Sequence, residues 1–190
     1  MSALRHSVPA ALLLSVVAGV LLVAPQSPYG WTAASAQSIV RPAGSDRIYL
    51  GLDGVSGEAT DGDHVGELVL QSFTWSESHA TDTSSRVQFK DIHVIMGMDK
   101  AAPWLLQKAG SAQRIAKATL TLRNSLGQDY ARFALGDITL TGFQIEATAG
   151  QARSKVSFDM NIGRIDMEYR PQLYSGGLGP ATKGGWDRKN

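Results

Sequence analysis

The chain has 190 residues, 18 lysines and arginines against 17 aspartates and glutamates, and no cysteine. Without cysteine there is neither a disulfide framework nor a thiolate zinc site, and without a basic excess the usual electrostatic footprint of nucleic-acid binding is missing. Residues 1–36 hold a single basic side chain, Arg5, so the remainder carries 17 basic and 17 acidic groups and little long-range repulsion opposes its self-association.

Residues 1–36 stand apart in composition. Arg5 and His6 precede an apolar run from Val8 to Ala24, and small residues end at Ala34-Ser35-Ala36. A positive start, an apolar centre and an A-x-A site predict a secretory signal peptide, with the protein secreted or periplasmic and not stably inserted in the membrane after cleavage. Two alternatives stand beside it. The run, roughly 17 residues, is at the lower limit for spanning a bilayer, which allows an uncleaved anchor. A misassigned start codon would instead place the true beginning near Val40. Residues 37–190 form one domain, long enough to bury a core without disulfides.

Within that domain Ile48 to Leu52 reads as a short strand and Asp53-Gly54 as its turn. A loop rich in Gly, Asp and Glu follows from Val55 to Gly66. Val65 to Trp75 is the next strand, with Val69, Phe73 and Trp75 on one face and Leu68 and Leu70 on the other, so both faces need cover. Glu77 to Ser85 is a polar loop, and Val87 to Met96 resumes the sheet.

The stretch from Asp91 to Arg123 reads as strand, helix, strand, and the rest of the domain is organised around it. Asp99 caps the helix with a short acceptor, Pro103 lies in its first turn, and Gly110 ends it in a left-handed conformation. Ala102, Leu105, Leu106 and Ala109 share one face with Trp104 at its edge. A helix of about ten residues forms mainly because such a face is buried, here on a sheet.

After the helix Ala116, Ala118, Leu120 and Leu122 alternate with Lys117, Thr119, Thr121 and Arg123, a strand with one buried and one polar face. Asn124 to Gln128 is a turn. Tyr130 to Leu135 and Ile138 to Ala147 read as two strands around Gly136-Asp137, and Ala149 to Ser154 as a loop. Val156, Phe158, Met160 and Ile162 lie at even positions, whereas Ile165, Met167 and Tyr169 lie at odd ones. That phase change beside Gly163 predicts a bulge that bends one strand and swaps its faces. Pro171 to Asn190 is expected to be extended chain. Together these elements predict a mainly β fold, a small β-barrel of two packed sheets with one short α-helix.

Little of this points to chemistry. Asp61, Asp63, His64 and Glu67 offer oxygen and imidazole donors within seven positions, but later ligand positions of a calcium loop are absent, and a hydrogen-bonded loop is the reading preferred over a cation site. His79 with Asp82 is weaker, and His93 reads as a satisfied sheet residue. Lys108, Arg114, Lys117 and Arg123 read as a solvated face. No G-x-S-x-G elbow and no Gly-rich phosphate loop is present. The expectation is no enzyme, no catalytic residue, no metal and no cofactor.

Taken together and in order, a set of short pieces resembles a family. They are Ile48-Tyr49-Leu50 with Asp53-Gly54-Val55, Gly57-Glu58, Thr60-Asp61, His64 with Glu67, Ser72 and Trp75, then Asp99-Lys100 with Pro103 and Leu105. Leu120-Thr121-Leu122-Arg123, Tyr169, Pro171-Gln172 and Gly184-Gly185-Trp186-Asp187 follow. From Arg47 to Asn190 the chain resembles the haemolysin-coregulated proteins (Hcp), the tube subunits of bacterial type VI secretion. The resemblance implies a β-barrel with one helix, hexameric rings that stack into a tube, a spike and a sheath as partners, and effector cargo in the lumen. It places Gly57, Glu58, His64, Glu67 and Trp75 at a subunit interface of head-to-tail type. Tube subunits assemble in the cytoplasm before secretion by the type VI machinery, which suits the misassigned start. A used signal suits the alternative, an exported Hcp-like binding or adhesive module outside any tube.

Overall fold

The computed structural model of the chain describes residues 46–79, 87–150 and 153–188. The leader lies outside them, as do residues 80–86 of the polar loop, Asp82 among them. The elements in chain order are β1 (Arg47–Leu52), a 3-10 turn (Gly62–His64), β2 (Leu68–Thr74), β3 (Glu77–His79), β4 (Val87–Phe89), β5 (Ile92–Gly97), α1 (Ala102–Ser111), β6 (Ile115–Arg123), β7 (Asp129–Glu146), β8 (Lys155–Asn161), β9 (Arg164–Tyr169) and β10 (Thr182–Asp187).

Six strands close on themselves. β7 pairs with β6, β6 with β1, β1 with β2, β2 with β5, β5 with β8, and β8 with β7 again, every pair antiparallel. Closure leaves no free edge inside the ring. The interior fills by simple alternation: Ile92, Val94 and Met96 of β5 stand opposite Met160, Phe158 and Val156 of β8, and all six are buried. Leu50 of β1, Leu120 of β6 and Leu140 of β7 are buried in the same core. The predicted mainly β barrel with one helix is what the chain forms.

Several predicted details change. β7 is one strand of 18 residues rather than two, and it bends at Gly136-Asp137, where Asp137 takes a φ of 56°. There the Gly163 amide donates to the carbonyls of both Gly136 (3.0 Å) and Asp137 (3.2 Å). A Cβ on residue 163 would stand 2.7 Å from the Asp137 Cβ, so glycine lets the two backbones meet. The phase change marks this crossing. Instead of one bulged strand there are two, β8 along the second half of β7 and β9 along the first. β8 goes on to close the barrel against β5, whereas β9 carries β10 as an extension. The tail, expected to be plain extended chain, first turns back on itself, with Gln172 bridging Leu178 and the Leu173 amide donating to the Gly177 carbonyl at 2.8 Å, and then joins the sheet as β10.

β2 begins at Leu68, and its register shifts between Leu70 and Ser72. Leu70 pairs with Met96 and Phe73 with Val94; paired residues share a face, so Phe73 and Trp75 point the same way as Leu68 and Leu70. Only Val69 of the predicted outer face remains outside. The bulge is invisible to a strict two-residue period. Val87 to Met96 is likewise split, with β4 pairing back on β3 as a separate hairpin.

Asp99 precedes the helix as predicted, its Oδ1 accepting from the Ala101 amide at 2.8 Å in the turn that leads in, but the residue at the helix boundary is Ala101, which makes no side-chain cap bond. It ends later than predicted. Gly110 is helical, and the left-handed residue is Ala112, with φ 49°. Ala102 and Leu105 are buried and Ala109 packs against the core, but Leu106 and Trp104 are 54% and 55% exposed. With only one apolar turn seated on the barrel, the helix buries a narrower stripe than predicted. In β6, Ala116 is exposed, whereas Thr121 and Arg123 on the predicted polar face are buried. That inversion marks where the functional candidate sits.

Candidate functional site

The outer face of β1 and β6 carries Arg47 opposite Arg123, Tyr49 opposite Thr121, and Gly51 opposite Thr119. The loop from Gly57 to Glu67 covers it. Backbone bonds close the loop on itself: the Gly57 amide donates to the Gly66 carbonyl (2.7 Å), Gly66 to Ala59 (2.9 Å) and Ala59 to Glu67 (3.0 Å). Gly66 turns the chain at φ 83°, and Gly57 lies so close to the Glu67 carbonyl that a side chain there would displace backbone.

The seat is polar. The His64 ring stacks on Tyr49, 4.2 Å between centroids and 4° from parallel. Its Nδ1 is 2.9 Å from Glu67 Oε2 and its Nε2 is 3.2 Å from Asp129 Oδ1. Arg123, 6% exposed, donates from Nε to Asp129 Oδ1 (2.6 Å) and from a terminal nitrogen to Asp63 (3.3 Å), and stands 3.6 Å from Asp61. Tyr49 Oη and Arg47 both donate to Asp61 Oδ2, at 2.5 and 2.9 Å.

These contacts set the ionisation of the group. The hydrogen bond from Tyr49, helped by Arg47 and Arg123, holds the Asp61 carboxyl below its ordinary range against some burial. Burial pushes Asp129 up, but the bonds from Arg123 and His64 outweigh it and leave Asp129 low. The Arg123 guanidinium, bound foremost to Asp129, holds its proton more tightly than usual despite its burial. Burial, then Asp61, pushes the Tyr49 phenol up. The carboxylates weighed as cation ligands therefore face arginine, tyrosine and histidine. Among the described residues no cluster of three or more acidic or histidine side chains is arranged to hold a metal.

The five predicted interface residues fall into three places. Gly57, His64 and Glu67 belong to the seat, with His64 only 2% exposed. Glu58 is exposed at the loop's outer side, its amide bound to Asp99. Trp75 is elsewhere, lining an apolar cleft of about 560 Å³ with Ile165, Met167, Tyr169 and Trp186 under the β9–β10 extension. Tyr49, Arg123 and Asp129 were missed as parts of the site; the signal for the first two was their shared outward parity on neighbouring strands. Val65, 70% exposed at the end of the 3-10 turn, was missed because it was placed in a strand. His93, expected to be satisfied in the sheet, has Asp159 at 2.7 Å. Of the predicted solvated stripe, Arg114 and Lys117 are exposed and Arg123 is not.

The chain is thus a closed six-stranded barrel with one helix and an internally braced surface loop, and the comparisons name its family. A family model described as Type VI secretion system effector, Hcp, matches residues 49–169, and the chain belongs to that family. Protein hcp1 of Pseudomonas aeruginosa is 22% identical over 153 residues, covering 74% of this chain and 93% of that protein. The crystal structure of Hcp1 from Salmonella typhimurium superposes with a TM-score of 0.66 at 22% identity, covering 76% of this chain and 95% of that one. A structure described as a type six secretion system protein gives 0.70 at 21% identity, covering 75% and 96%.

Proposed function

We propose that the chain is a non-catalytic tube subunit of type VI secretion that assembles head to tail into a ring of six, with spike, sheath and effector cargo as further partners. Family membership supports the class, and one observation carries the contact: Val65 and the exposed Glu58 and Asp63 stand on a loop already fixed by its own backbone bonds and by Arg123. An apolar side chain on a pre-ordered loop docks without the cost of ordering the loop at the moment of contact. In this reading Glu58 touches the neighbour, while Gly57, His64 and Glu67 shape the loop from beneath. Trp75 contributes through its cleft.

Light scattering coupled to size exclusion tests the ring on the purified chain. A mass six times that of the chain is expected, and Val65→Asp is expected to weaken the assembly at least tenfold. A monomer at tens of micromolar refutes the ring. A hexamer indifferent to Val65→Asp keeps the ring and refutes the loop as its contact. The leader favours a second reading, an exported module, because Arg5, the Val8 to Ala24 run and Ala34-Ser35-Ala36 match a signal peptide. The mature N-terminus, read by mass spectrometry from native cells, separates the two.

A further inference from the structure

We infer that the polar seat around Arg123 is a conformational lock: it sets the Gly57–Glu67 loop in one conformation and contributes little to holding the barrel itself. The inference rests on the reading of that loop as a contact element, and it assigns the control of contact geometry to Arg123, Asp129 and Tyr49 of the wall beneath the loop.

The two parts of the molecule are held by different forces. The barrel is held by apolar side chains buried from opposite walls, Leu50, Val94, Leu120 and Phe158 among them. Between Gly57 and Glu67 the one buried apolar residue is Ala59, and Val65 faces water. The backbone bonds described for that stretch close within it, apart from the Glu58 amide on Asp99. What ties its centre to the wall is polar: Asp61 to Tyr49 and Arg47, Asp63 to Arg123, and His64 to Tyr49 and Asp129.

A segment with so little apolar burial opens locally at a free energy below that of global unfolding. Buried ion pairs contribute little net stability after desolvation, yet can select one conformation over others. Arg123 suits that role. It is anchored in β6, it bonds Asp129 of β7 in the same wall, and its terminal nitrogens reach both loop carboxylates. Removing the loop carboxylates leaves the Arg123–Asp129 pair, and hence the wall, intact.

The test is native-state hydrogen exchange on the full chain carrying Asp61→Asn with Asp63→Asn, and separately on Arg123→Met. Both are made in a Val65→Ser background, so that loss of a ring contact is common to all samples. Loop amides of Ala59, His64, Gly66 and Glu67 are expected to exchange at least tenfold faster than in Val65→Ser alone. In the carboxylate variant, which keeps the Arg123–Asp129 pair, amides of Leu50, Val94 and Leu120 are expected to stay within threefold; Arg123→Met also breaks that pair, so only its loop amides are read. Loop amides that keep their rates in the carboxylate variant overturn the lock. So do loop and barrel amides that accelerate together in that variant. If Arg123→Met does not fold, the carboxylate pair, which lies outside the core, decides alone. Mass is read on the unmodified chain: a monomer there sinks the ring and leaves the exchange result to judge the lock.

Discussion

Glu58 and Asp99 join the loop to the helix across 41 positions of chain: the Glu58 amide donates to Asp99 Oδ2 at 3.0 Å, and the Glu58 carboxylate accepts from the Lys100 amide at 3.1 Å. Asp99 Oδ1 meanwhile takes the Ala101 amide at 2.8 Å. Helix starts leave amides without partners, and here one carboxylate from each segment supplies them. The negative charge of both also suits the positive end of the helix dipole.

Asp99→Ala is therefore expected to cost about 1–2 kcal/mol, the range for losing a side-chain acceptor at a helix start. Asp99→Asn, which keeps one acceptor oxygen, should lose less. Urea melts measure both, and an alanine variant with the wild-type midpoint would contradict this role at the helix start.

On the helix itself Leu105 is the one large side chain that is fully buried. Leu105→Ala is expected to cost about 2–5 kcal/mol, the loss of transfer energy plus an unfilled cavity. Leu106→Ala and Trp104→Ala, both at exposed positions, are expected to stay within about 0.5 kcal/mol. Equal losses at positions 105 and 106 would show that the helix sits rotated from the orientation described.

The contrast between these neighbours also shows what the sequence made legible. Alternation located β6 and β8, because a half-buried strand writes its faces at period two. The turn at Asn124 was readable too, since a short amide side chain can bond its own backbone: Oδ1 accepts from the amides of Leu126 and Gln128. What failed was anything set by a partner distant in sequence. The bulge between Leu70 and Ser72 turned Phe73 and Trp75 inward, and no local pattern marks it. Arg123 and Thr121 read as solvent-facing until a loop some sixty residues earlier covers them, with Asp63 at a separation of 60. The polar run at positions 61–67 was visible as a cluster, but its partners were not.

The end of the helix supplies a prediction of opposite sign. Ala112 sits at φ 49°, where an L side chain crowds the following carbonyl at about 1–2 kcal/mol. Ala112→Gly relieves that crowding and, after the offset from glycine's greater flexibility in the unfolded chain, is expected to raise stability by up to about 1 kcal/mol. Gly110 lies inside the helix with open space where a Cβ would stand. Gly110→Ala should likewise stabilise, by about 1 kcal/mol or less. Denaturant midpoints that fall for both variants would refute this account of the helix end.

Acid acts on the loop through Asp129. Its folded carboxyl lies below the ordinary 3.8 because the bonds from Arg123 and His64 outweigh the burial that pushes it up. A group whose value is depressed by structure contributes in full above its free value and loses that contribution as pH falls through the depressed one. Asp61 is shifted in the same direction, chiefly by its hydrogen bond from Tyr49. Opening the loop exposes both carboxylates to water, so the same linkage governs local opening. Protection factors of Ala59, Gly66 and Glu67 are expected to be level from pH 7 to about 5 and to fall below about pH 4. The barrel amides should fall later, with global unfolding. Asp129→Asn is expected to start from lower loop protection at pH 7 and to lose less on acidification, because the titrating group is gone. Loop protection that falls just as steeply in Asp129→Asn would show that other carboxylates carry the acid response.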